Sequence, residues 1–299
     1  MGRLLLPRGV ALRFYLLAVF EAQCRLAVGD PWMSDRPLAG VGSWSDFIAI
    51  DGAYDAGSQA YMRDTKQGRK GSADLRLRQI QSALKTLEEL GPEQALVTVP
   101  RAKNGGRRLY GEFSLMKETG RGGLQTPDVY VVPQNHWSAV TITIPTDFFL
   151  KGWVQVLNPS EVATWLVLRV LSQWARKEHA KTGVYLYGKS RLEDFGLRRD
   201  AWEDGCRLLC DLKLIRHGRE TPLDSTAGAF DIFNWFAREG RERYEPYRWQ
   251  VTDAGLAENA VQACTRELTL RKKGLDAMAE QRALRRSGPS SPTLPESPE

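Results

Sequence analysis

Apolar positions along the chain recur in two ways, at helical three- and four-residue spacing and in strand-like alternation. The first run, residues 1–20, starts basic and turns apolar, but it is broken by Arg13 and followed closely by Glu21 and Arg25, and the helix expected here covers 7–26. Those charges and the lack of a small-x-small cleavage site argue against a signal peptide or a membrane span, so a core helix with Pro7 in its first turn is expected, in a cytoplasmic protein. A polar, Gly-containing loop over 28–43 precedes a short amphipathic piece with Trp44, Phe47 and Ile48 on one face. After a polar, basic stretch over 51–72, residues 73–90 form the clearest helix of the first half, with Leu77, Ile80, Leu84 and Leu87 as its apolar stripe. Ser72 is its expected N-cap, and Gly91-Pro92 stops it. Two strand-like runs, 95–102 and 109–116, flank Lys103-Asn104-Gly105-Gly106-Arg107-Arg108, whose Asn-Gly and Gly-Gly steps are hairpin-turn chemistry.

The order helix, short helix, helix, strand, hairpin, strand is that of a winged helix-turn-helix, and it recurs. Residues 119–138 are rich in Gly, Pro and Thr and read as a linker. A β-branched alternation over 140–145 opens the second unit. Asn158-Pro159-Ser160-Glu161 is a strong helix start, with that helix running to about Glu178 and Val162, Leu166, Val170 and Trp174 in register. A short helix over 190–195, a third over 199–212 and strands at 214–216 and 247–252 follow. The expected fold is therefore α+β and mostly helical, with two winged helix-turn-helix domains in tandem. Their bounds are 1–118 and 139–253, joined by the linker 119–138. A C-terminal helix spans 254–286, and the Pro/Ser-rich tail 287–299 is expected to be disordered. An insertion at 220–246 carries Phe230, Phe233, Trp235 and Phe236, and covers its own core or binds a partner subunit.

Charge changes this picture once it is located. The chain has 42 Lys and Arg against 36 Asp and Glu, a net +6. Residues 63–108 hold eleven basic and five acidic residues, so this block accounts for the whole excess and the remainder is neutral. Opposite the apolar stripe of the helix lie Arg78, Gln81, Ser82 and Lys85, where a recognition helix would face a major groove. Arg and Gln suit bidentate bonds to base edges, and Ser and Lys suit phosphates. Arg69, Lys70 and Arg76 extend this surface toward the helix start. Lys103, Arg107 and Arg108 place charge on the hairpin. In the second unit the third helix carries Asp200, Glu203 and Asp204, which phosphates repel. It would dock through Arg198 and Arg199 with Lys189 and Arg191 on the backbone, or else serve dimerisation. Both readings stay open.

The sequence has no GxGxxG after a strand, no HExxH and no GxSxG. The acidic pairs read as solvated surface, and Tyr244 and Tyr247 lack a local His for recombinase chemistry. Cys24, Cys206, Cys210 and Cys264 suit neither a disulfide framework nor a zinc site. No enzymatic activity, metal or cofactor is expected.

Residues 79–90 with 96–116, and 191–216 with 247–256, resemble tandem winged-helix DNA-binding proteins, the layout of plasmid replication initiators and some bacterial transcription regulators. The second pair, RLEDFGLRRDAWEDGCRLLCDLKLIR and YRWQVTDAGL, is similar in pattern to multiple-antibiotic-resistance-type regulators. Residues 8–26 resemble the start of uncharacterised actinobacterial proteins. The resemblance implies sequence-specific double-stranded DNA binding by a homodimer. The alternative is a protein-interaction or scaffold module built on the same domains.

Overall fold

A computed structural model describes residues 10–48, 53–55, 60–62, 69–90, 94–118, 128–133, 142–218 and 247–286. The aromatic insertion 220–246 and the tail 287–299 lie outside the described residues. The fold is α+β and mostly helical, with small antiparallel sheets. No described helix is long and apolar enough to cross a membrane.

Helix α1 (Val10–Arg25) is followed by α2 (Trp44–Ile48), strands β1 (Ala53–Asp55) and β2 (Ala60–Met62), and helix α3 (Arg69–Glu88). The β1–β2 hairpin falls in the stretch expected to be merely polar and basic. Helix α3 begins at Arg69, so Ser72 lies inside it. Strands β3 (Val97–Thr98) and β4 (Ser114–Leu115) pair antiparallel, as the hairpin pattern predicts. Residues 128–133, expected to be linker, instead run along β4. Met116 bridges Val129 and Val131 bridges Pro31, and Tyr130 and Val132 are buried. The segment thus widens the first sheet because it brings apolar side chains to an otherwise open edge.

The second half opens differently from expectation. Residues 142–145 are irregular, and Thr143 gives its carbonyl to the Arg169 and Gln173 side chains. Two short helices, α4 (Asp147–Leu150) and α5 (Trp153–Val156), lead to α6 (Pro159–Trp174). A full capping box starts α6: Asn158 and Glu161 satisfy each other's backbone N–H groups. The helix ends at Trp174, four residues short of the expected limit, and Trp174 is exposed rather than in register. Then come α7 (Arg176–Lys181), α8 (Gly188–Phe195) and α9 (Arg199–Asp211). Strands β5 (Ile215–His217) and β6 (Trp249–Val251) form a hairpin that Val184 extends by bridging Trp249. Helix α10 (Ala260–Arg286) closes the chain, started by the Asn259 side chain accepting from the Val261 and Gln262 N–H groups. Helices α6 and α9 cross closely at Gly205, where a Cβ would sit 3.1 Å from Thr164 Oγ1.

One continuous core runs through both halves. Helix α1 is buried on most of its circumference, by α3 and the first sheet on one side and by the α4–α6 region on the other. Phe14 meets Trp44 at 5.1 Å and Phe113 at 5.4 Å. Phe20 stacks on Phe149 at 4.1 Å. Arg13 donates from Nε to the Val154 carbonyl (2.9 Å) and from its two Nη atoms to Leu157 (3.3 Å) and Ile48 (3.5 Å). These carbonyls belong to the last turns of α5 and α2, where helices leave acceptors unsatisfied and favour a cation. Phe47 departs from the expected inward face of α2: it is exposed, with the Arg36 guanidinium 4.6 Å over its ring.

Arg13→Met keeps much of the side-chain volume but removes these donors. Urea unfolding followed by tryptophan fluorescence should show one cooperative transition in the wild type and a loss of about 2 kcal/mol in the variant.

Candidate nucleic-acid interface

Helix α3 turns Ile80, Ala83, Leu84 and Leu87 into the core and leaves Arg78, Ser82 and Lys85 exposed. Leu77 and Gln81 are half-buried. Arg69 and Lys70 form the first turn. Arg76 leans toward α2, with Nη1 3.4 Å from Asp46 Oδ1. Its charge is therefore shared with a carboxylate, which the sequence pattern did not show.

The hairpin beyond β3 is closed by Arg101 bridging Arg108 and by a 3-10 turn at Lys103–Gly105. Gly105 has φ +71°, a conformation that suits glycine. Lys103 and Arg107 are exposed at this turn. Arg108 departs from the expected solvent-facing role. Its Nε lies 3.0 Å from Glu88 Oε2 and its Nη2 lies 3.0 Å from Glu89 Oε1. Loss of solvent is the largest single influence and opposes the Arg108 charge, but Glu88, Tyr110 and Glu89 together outweigh it and the net shift of its pKa is upward. Glu88 also accepts from the Val99 N–H at 3.1 Å, so this carboxylate ties the hairpin to the end of α3.

Glu89 makes the surface continuous. Its Oε1 meets Arg108 and lies 3.9 Å from Lys85 Nζ, so the exposed helix face and the base of the hairpin share one carboxylate. Among the described residues, Arg78, Arg101, Lys103 and Arg107 meet no carboxylate. Arg101 was not singled out in the sequence; its pairing opposite Arg108 is the signal that adds it. Together these four cations form the uncompensated part of the first surface.

The residues expected from the second unit divide. Lys189 and Arg198 are exposed, at the starts of α8 and α9. Arg191 instead folds back, its Nε donating to the Leu197 carbonyl at 3.2 Å across the α8–α9 turn. Arg199 is bound to Glu203 at 2.6 Å, and Arg207 lies 3.7 Å from Asp204. Arg271 of α10 takes up Asp211 and Glu267. The basic charge of α9 is largely neutralised locally, while Asp200 and Asp204 stay exposed.

Burial raises the Cys206 thiol far above its ordinary pKa and raises Cys210 as well, so both remain protonated near neutrality. Among the described residues no three His, Cys, Asp or Glu side chains cluster as metal ligands. No protein-family model, curated protein or solved structure matches the chain.

The second sheet contains a titratable anchor. His179 Nε2 accepts from the Val251 N–H at 2.8 Å, which requires neutral imidazole. Burial, reinforced by the Arg216 charge, lowers its pKa; burial lowers that of His217 too. The unfolded chain therefore takes up these protons first, and stability is lost as pH falls below about 6.5. The urea midpoint should drop between pH 7.5 and 5.5, and drop less in His179→Gln, which retains an acceptor. Equal drops in both proteins would contradict the assignment.

Proposed function

We propose that the chain binds double-stranded DNA sequence-specifically through two winged-helix units, as a replication initiator or a transcription regulator. The observation that carries this reading is the single basic surface joining α3 to the 101–108 hairpin, with Arg78, Arg101, Lys103 and Arg107 uncompensated among the described residues. Uncompensated cations on an exposed helix face and an adjoining hairpin match the needs of groove and backbone contact. The order α6, Val184, α8, α9, β5, β6 supports a second winged helix, with the bridge at Val184 as the short third strand. Arg78 and Gln81 are assigned base contacts, and Lys85, Lys103 and Arg107 phosphate contacts.

A protein-interaction role is the second reading, and one observation favours it. Val261, Leu268 and Leu275 of α10 recur every seven residues and are 60%, 63% and 67% exposed. In the first reading the same stripe supports a homodimer.

Selection of bound sequences from random duplex DNA, followed by gel shift, tests the proposal. Arg78→Ala should relax sequence preference. Arg107→Ala should weaken binding to all sequences alike and lower the salt slope by about 1. Binding without salt dependence, or loss in neither variant, contradicts the DNA reading. Size-exclusion chromatography with association independent of DNA would then support the interaction module.

A further inference from the structure

The face of the β5–β6 sheet on which the end of α7 packs carries two arginines that differ from those of α9 in how they are held. Val184 pairs with Trp249, and the Gly218 N–H meets the Arg248 carbonyl at 2.8 Å. Tyr185, Arg248 and Gly218 therefore form one row across the sheet. Arg216 opposite Gln250 forms the next row on the same face. The other face turns Ile215 and Trp249 into the core.

Both arginines are fixed by neutral groups. Arg216 Nε donates to Gln250 Oε1 at 2.8 Å. Gln250 is itself buried and anchored by Nε2 to the His179 (2.8 Å) and Ala180 (3.2 Å) carbonyls. Arg248 Nη1 donates to Thr182 Oγ1 at 3.3 Å, and its guanidinium lies 4.8 Å over the Tyr185 ring. Among the described residues neither arginine has a carboxylate partner. Each guanidinium has five N–H donors and spends one on these bonds, so most remain for an outside anion. The Tyr185 and Tyr187 hydroxyls, 3.2 Å apart, lengthen the strip toward exposed Lys189.

We infer that this sheet face, through Arg216 and Arg248, is a second contact for the phosphate backbone of duplex DNA. The inference rests on the DNA-binding reading and moves the second unit's main contact from α9 to its sheet. Two separated cations at the rim of this face, Arg216 exposed and Arg248 half-buried, fit an extended polyanion. Side chains fixed in advance lose little freedom on binding. The acidic, internally paired surface of α9 provides no comparable attraction.

The test uses the full chain and a random-sequence 30-base-pair duplex (about three helical turns), with affinity read by fluorescence anisotropy over a KCl series. Arg216→Ala/Arg248→Ala should reduce the slope of log K against log salt by about 2. Arg216→Gln/Arg248→Gln, which keeps polar side chains, should do the same, and Arg216→Lys/Arg248→Lys should keep most of the slope. Thermal melts establish that each variant is folded. A folded, charge-removed variant with the wild-type slope overturns this inference. If that variant binds like wild type while Arg107→Ala is weakened, the DNA reading survives. A wild-type chain that binds no duplex overturns both.

Discussion

One half-buried cation ties the two halves of the molecule together. Arg13 lies on a helix packed from both sides and donates to the ends of α2 and α5, segments more than a hundred residues apart. A charged donor removed from bulk water is stable only where acceptors converge on it, and helix C-termini supply them. The Phe20–Phe149 stack lies on the same helix, so apolar and polar contacts fasten the halves along one line. The consequence for function is geometric. The α3 face, the 101–108 hairpin and the β5–β6 sheet are carried by one continuous core.

Within that frame, carboxylates decide which basic residues are available. Glu88 and Glu89 take Arg108 to brace the hairpin, and Asp46 takes Arg76. Glu203, Asp204 and Asp211 do the same around α9. Exposed ion pairs of this kind contribute little to stability, about 0–1 kcal/mol each. They nonetheless cancel local charge. A count of Lys and Arg therefore overstates the surface offered to phosphates. Among the described residues, Arg78, Arg101, Lys103 and Arg107 on one surface and Arg216 and Arg248 on another are basic residues that meet no carboxylate.

The sequence was most readable where local chemistry is strong. Apolar spacing gave α3 and α9, Asn158-Pro159-Ser160-Glu161 gave the start of α6, and Asn104-Gly105-Gly106 gave the hairpin. It misled where partners are distant. The alternation at 140–145 looks like a strand, yet the Thr143 carbonyl is taken by side chains of α6, and Pro145 has no N–H to offer a ladder. The Gly/Pro-rich composition around 128–133 hides Tyr130 and Val132, which complete the first sheet. For the site, the exposed face of α3 was legible. The diversion of Arg108, Arg191 and Arg199 was not, because it depends on rotamers and on which acceptor folding brings near. Arg216 and Arg248 were missed because they acquire meaning only from the pairing of β5 with β6.

The decisive measurement is hydrogen–deuterium exchange of the full chain, free and with saturating duplex DNA. Exchange should slow in α3 and in the 101–108 hairpin and stay unchanged in α9. Protection confined to α9, or no protection in α3 and the hairpin when DNA is bound, would contradict the DNA-binding reading.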